Sequence, residues 1–141
     1  MGYYCAGVLL LLLVLGTVAT DQPITSPVVI TAPGTFELVA DARGINDVYG
    51  IKIESSDVTI DGQSYFVGGT SRDKSAGVFV NKYGSSITNV TVKNLKLENW
   101  DTGVGYEYVK GTEGDINLIS NCDIINTNTA VDLKYSDYVT V

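Results

Sequence analysis

The feature that most limits what this chain can become is a repeat. Gly50-Ile51-Lys52-Ile53-Glu54 returns as Gly77-Val78-Phe79-Val80-Asn81, as Gly103-Val104-Gly105-Tyr106-Glu107 and as Ala130-Val131-Asp132-Leu133-Lys134. The leading position thus steps almost evenly from Gly50 to Gly77, Gly103 and Ala130. Asn94-Leu95-Lys96-Leu97-Glu98-Asn99 is matched one period later by Asn121-Cys122-Asp123-Ile124-Ile125-Asn126. A third motif, apolar-Thr-apolar, recurs as Val58-Thr59-Ile60, Val90-Thr91-Val92 and Val139-Thr140-Val141. Its spacing is looser, so the turns before it must vary in length. The stretch Ile116-Asn117-Leu118-Ile119 fits this pattern in two registers, offset by a single position.

Short alternating runs rich in Val, Ile and Tyr, separated by Gly, Asn, Asp, Ser and Thr, predict an all-β chain. A coil of about 27 residues is too small to bury its own apolar face, so it must stack on the next, strand over strand, at about 4.8 Å per coil. Alternation then assigns the faces. Ile51, Val78, Val104 and Val131 form one inward column, and Ile53, Val80, Tyr106 and Leu133 the next. Lys52, Phe79, Gly105 and Asp132 point outward between them. Asn94 over Asn121, and Asn99 over Asn126, predict amide ladders at corners where Asn tolerates left-handed backbone. A sandwich or barrel would need hairpin signals every 8–12 residues or so; Asp61-Gly62 is one, but it does not recur.

Residues 1–19 read as a secretory signal peptide. No charged side chain precedes Asp21, Val8 to Leu15 is unbroken apolar sequence, and Thr17-Val18-Ala19 places small residues for cleavage after Ala19. An uncleaved anchor would need about 20 apolar residues, and Ala6 to Ala19 is shorter. The expected address is therefore outside the cytoplasm: secreted, at the cell surface or in the periplasm. Residues 20–49 are expected to form an opening strand and cap, and residues 50–141 the coils. Cleavage would leave Cys122 alone, a small hydrophobe rather than half of a disulfide.

Charge and composition exclude several function classes. With 9 Lys+Arg against 16 Asp+Glu the net charge is -7, which argues against nucleic acid as a partner, since phosphate binding needs clustered cations. The 141 residues contain no His. That removes the commonest general base, the His-paired nucleophiles and the imidazole-ligated metals.

With these motifs in hand, the chain resembles a right-handed, single-stranded parallel β-helix of the pectate-lyase-like group. It is most similar to the NosD-type repeat proteins of bacterial and archaeal cell surfaces and periplasm. The resemblance rests on Ala32-Pro33-Gly34-Thr35-Phe36-Glu37-Leu38, Gly50-Ile51-Lys52-Ile53, Ser56-Asp57-Val58-Thr59-Ile60-Asp61-Gly62 and the Asn-punctuated coils. It covers nearly all of the chain after the signal segment. It implies a fold more than a function, because such coils serve lyases, hydrolases, epimerases, adhesins and surface proteins alike. The group's lyases use clustered carboxylates, calcium and a basic residue; the arginines here are Arg43 and Arg72 only, both in expected turns. The group's hydrolases use Asp groups with a His nearby, and this chain has neither His nor adjacent Asp residues. The copper-site role associated with NosD relatives does not carry over, because the soft and imidazole ligands are missing.

The expectation is thus an exported structural or adhesive surface module that contacts a polysaccharide or surface glycan. Outward aromatics offer flat apolar faces to sugar rings, with polar groups beside them for the hydroxyls. The candidate ligand-contacting residues are Phe79, whose face Gly105 would leave open, Trp100, Glu107 and Asp132, with no catalytic or metal residue assigned. Glu107 and Asp132, with Asp101 and Asp123 near neighbouring turns, allow at most weak calcium binding. Asn89-Val90-Thr91 is a glycosylation sequon. The alternative is a polysaccharide-active lyase, hydrolase or epimerase whose active site lies in coils beyond Val141. Asp137-Tyr138-Val139-Thr140-Val141 halts within a strand motif. This predicts either continuation of the solenoid or end-to-end association with another chain.

Overall fold

A computed structural model describes residues 21–141; the signal-peptide expectation falls outside the described residues. Among the described residues every regular element is a strand, and the named strands pair in parallel. The chain winds as a β-solenoid of about four coils, visiting three main sheets in turn. The first sheet contains Gln22–Ile24, Gly34–Leu38, Val58–Asp61, Val90–Lys93, Asn117–Ser120 and Val139–Thr140. The second contains Ala42–Ile45, Phe66–Gly69, Lys96–Glu98 and Asp123–Ile125. The third contains Val28–Ile30, Tyr49–Ile53, Ala76–Val80, Thr102–Glu107 and Thr129–Lys134. A short extra pairing joins Ile87–Thr88 to Val109–Lys110 at the corner after the third sheet.

The repeat is the register. Ile51 pairs with Val78, Val78 with Val104 and Val104 with Val131; Ile53, Val80, Tyr106 and Leu133 follow in the adjacent column. Ile51, Ile53, Val78, Val80 and Val104 have no exposed surface, whereas Leu133 in the last described coil is exposed. Burying each such side chain contributes about 1.5–3 kcal/mol before conformational entropy is set against it. The first sheet repeats the arrangement with Phe36, Ile60, Val92 and Ile119. The ambiguous stretch is settled with Asn117 and Ile119 inward, Asn117 lying between Val90 and Val139 in its column. This buried amide is satisfied on both sides. Its Nδ2 donates to the Lys110 carbonyl at 2.9 Å, and its Oδ1 accepts from the Val90 N–H at 3.0 Å.

The corners are held by stacked polar side chains. Asn121 donates to Asn94 at 2.7 Å, and Asn94 donates to Asp61 at 3.0 Å, so the expected ladder ends on a carboxylate. Asn94, Asn99, Asn121 and Asn126 all have φ between 50° and 59°, the left-handed region that Asn tolerates better than most residues. Burial alone would push the Asp61 carboxyl up, but the Asn94 amide, the Gln63 N–H and the Lys93 ammonium outweigh it and hold the pKa below its ordinary value.

Where the second sheet turns into the third, Trp100 fills a slot walled by glycine. A Cβ on Gly69 would lie 2.7 Å from the indole and 2.6 Å from the Asn99 carbonyl oxygen; one on Gly50 or Gly77 would lie 3.0 or 3.1 Å from the same ring. The leading glycine of the repeat is therefore a volume requirement, since its missing side chain makes room for neighbouring coils.

Two outcomes test this account. Gly69→Ala should lower stability by about 1–3 kcal/mol, the usual range for an overpacked core, while Gly114→Ala, where a Cβ meets nothing within 4 Å, should be nearly neutral in urea denaturation. A carboxyl with a depressed folded pKa contributes stability that is present above its unfolded pKa and is lost as pH falls through the folded value. The stability gap between the parent and Asp61→Asn should therefore shrink as thermal melts are taken below about pH 4.

Candidate functional site

The outward face of the third sheet carries two adjacent columns, one of Lys52, Phe79, Gly105 and Asp132, the other including Glu107 and Lys134. Phe79 is half-buried. The Tyr49 ring stacks on it at 4.8 Å and 5°, and a Cβ on Gly105 would come within 3.0 Å of its ring. One face of Phe79 is thus covered, so it presents less open platform than the alternation of the strand suggests. Tyr49 departs from the alternation of its strand, which would turn it inward with Ile51 and Ile53.

Trp100 has to be corrected as a surface residue. It is 1 % exposed, its indole N–H donates to the Val67 carbonyl at 2.9 Å, and the glycine-walled slot encloses its ring. A corner Trp beside an Asp looks solvent-facing in one dimension, but the empty volumes at Gly50, Gly69 and Gly77 belong to other coils.

Glu107 and Asp132 both remain at the surface. Glu107 is half-buried and its Oε2 accepts from the Asn81 amide at 3.0 Å. Asp132 pairs with Lys134 at 3.1 Å, and that partner keeps the lysine's pKa above its ordinary value. Asp101 is occupied as a corner strut, accepting from the Lys74 N–H at 2.9 Å and the Asn128 amide at 2.7 Å. Arg43 lies over the Phe66 ring and pairs with Glu98; Arg72 donates to the Asn46 carbonyl. Among the described residues no three His, Cys, Asp or Glu side chains come together to hold a metal ion. Cys122 is half-buried, and burial pushes its thiol pKa up. Asn89 is exposed in the left-handed region, its amide donating to Asp57 at 2.8 Å.

Beside Glu107 opens a cleft of about 690 Å³, between the turn Lys82-Tyr83-Gly84-Ser85 and the corner residue Tyr108. That size lies within the usual range of about 300–1,000 Å³ for small-molecule sites. The turn closes on itself through the Lys82–Ser85 bridge, with Gly84 supplying φ +76°. At its tip Tyr83 is fully exposed. Tyr108 is 45 % exposed and stacks on Tyr135 at 4.9 Å and 14°. Exposed aromatic rings, a carboxylate, an amide and a lysine therefore surround one opening.

Of these lining residues only Glu107 stood among the sequence candidates. The repeat gives no signal for the others: Val58 pairs with Val90 at an interval longer than the period, but the excess over the next coil falls on the turns before Phe66 and Ala76, and the Tyr-Gly corner is no longer than the one that follows it. Compared with known protein families, curated proteins and solved structures, the chain matches none. On this geometry tetranitromethane should nitrate Tyr83 under native conditions and spare Tyr106. Tyr106 is 1 % exposed, and burial pushes its phenol pKa far up. Peptide mapping by mass spectrometry reads the outcome.

Proposed function

We propose that the protein is an exported, acidic β-solenoid of the cell surface or periplasm, structural or adhesive in role, that contacts glycans. Contact is made on the outer face of the third sheet and in the cleft that adjoins it. The repeat's resemblance to NosD-type coils and the signal-like residues 1–19 support the address. The observation that carries the glycan reading is the cleft itself, where the exposed rings of Tyr83 and Tyr108 stand next to Glu107, Asn81 and Lys82. Sugars are amphipathic in the same way, with apolar C–H faces and hydroxyl rims, and sites for them combine aromatic surface with a few placed polar groups.

Contact without cleavage is the better reading of the carboxylates. Glycoside cleavage by a carboxyl pair needs one group to donate a proton and the other to attack or activate water. Here Asp132 is held by Lys134 and Asp101 by two N–H donors. A rigid stack of parallel coils suits a surface module, because its outward side chains stand at fixed spacing.

The test is binding of the purified chain to an array of neutral and acidic glycans. Tyr83→Ala and Phe79→Ala should each weaken retention on the best glycan by about tenfold, roughly 1.4 kcal/mol, with Gly114→Ala as the neutral control. Failure to bind any glycan on the array overturns the reading.

A further inference from the structure

Most corners of this solenoid that require left-handed backbone use short polar residues: Asp57, Ser71, Asn89, Asn94, Asn99, Asn121 and Asn126 among them. Gln63, Lys74 and three tyrosines depart from that rule. Two of the tyrosines, Tyr108 and Tyr135, occupy equivalent corners of successive coils, one step after the paired Glu107 and Lys134, at φ 56° and 51°. The backbone needs this shape there, since the Tyr108 N–H donates to the Lys134 carbonyl at 3.0 Å and its carbonyl accepts from the Ile87 N–H at 3.2 Å. Tyrosine has no short polar side chain to compensate the left-handed conformation locally. Strain of this sort persists where something other than stability selects the residue.

The rings supply the reason. Tyr135 covers one face of Tyr108, and Tyr108 lines the cleft opposite the Tyr83 turn. Asn81 bonds one carboxylate oxygen of Glu107, Oε2; the other, Oε1, has no hydrogen-bond partner among the described residues. Lys82 also lines the cleft, while Lys134, next to Glu107 in register, is paired with Asp132. A hydroxyl donates to a carboxylate without charge repulsion. A uronate would bring a second carboxylate to Glu107 on a chain already at -7.

We propose that Tyr108, held in place by Tyr135, is the sugar-stacking wall of the cleft, and that the ligand is a neutral hexopyranoside rather than a uronate chain. The proposal rests on the glycan reading above and names its ligand class. Tyr108 touches the ligand; Tyr135 is a positioning residue that keeps the Tyr108 ring upright.

The experiment compares neutral oligosaccharides (gluco-, galacto- and manno-configured) with oligogalacturonate, by calorimetry on the full chain at low and physiological salt. Neutral ligands should bind more tightly than oligogalacturonate at both. Tyr108→Asn should weaken neutral-glycan binding about tenfold or more, with a urea midpoint no lower than the parent's, because Asn suits the left-handed corner. Tyr135→Asn should weaken binding severalfold with its midpoint likewise maintained, and Tyr135→Phe, which keeps the stacked ring, should bind like the parent. Tighter binding of oligogalacturonate overturns the ligand class. Unchanged affinity in Tyr108→Asn, or a clear fall in its midpoint, overturns the role of the corner tyrosines. Binding to neither ligand set removes the glycan reading itself.

Discussion

Every other feature of this structure depends on coils stacking in register. A residue's closest partners are the equivalent residues of the coils on either side, a full period away along the chain. Each inward position is therefore filled by a column that must be apolar throughout or locally satisfied. Asn117 tests this rule and obeys it. Set between Val90 and Val139 in its column, its amide supplies the hydrogen bonds that the neighbouring strand and loop lack. An unsatisfied amide at that depth would be costly, by about 1–3 kcal/mol.

Stacking also exchanges volume between coils. Trp100 belongs to one coil, but the space it occupies is created by glycines of the coils before it. Such an exchange couples substitutions that lie far apart in sequence. It also explains why glycine opens the repeat at Gly50, Gly77 and Gly103 although its backbone conformation does not demand it. At these positions the absence of a side chain matters, not freedom of φ.

The inward columns, the Asn ladder of Asn94 and Asn121, and the outward set around Phe79 were legible in the sequence, because alternation and period are one-dimensional properties. The site was less legible, for two physical reasons. Whether Trp100 points in or out depends on volumes left by residues such as Gly69, a coil earlier in the chain, and Phe79 loses one face to Tyr49 through ring stacking that strand alternation does not encode. Tyr83 and Tyr108 sit at a corner between the repeated motifs. A search for repeats passes over those residues, because the matched motifs stop short of them.

Corner length varies most at one place for a reason. In successive coils the chain crosses from the third sheet back to the first between Ile53 and Val58, Val80 and Val90, Tyr106 and Asn117, and Leu133 and Val139. The two middle crossings are much longer than the outer two. The corner between the first and second sheets is nearly constant by comparison, and the one between the second and third lengthens once, between Gly69 and Ala76. Insertions at the variable corner project as turns, Lys82–Ser85 in one coil and Thr112–Asp115 in the next, without disturbing the register of either sheet. A rigid stack with a permissive edge can carry exposed aromatic side chains and left-handed tyrosines there, because the columns on both sides hold the backbone in place. The fold thus separates its two tasks in space: the columns resist variation, and the permissive corner can acquire a binding surface one loop at a time.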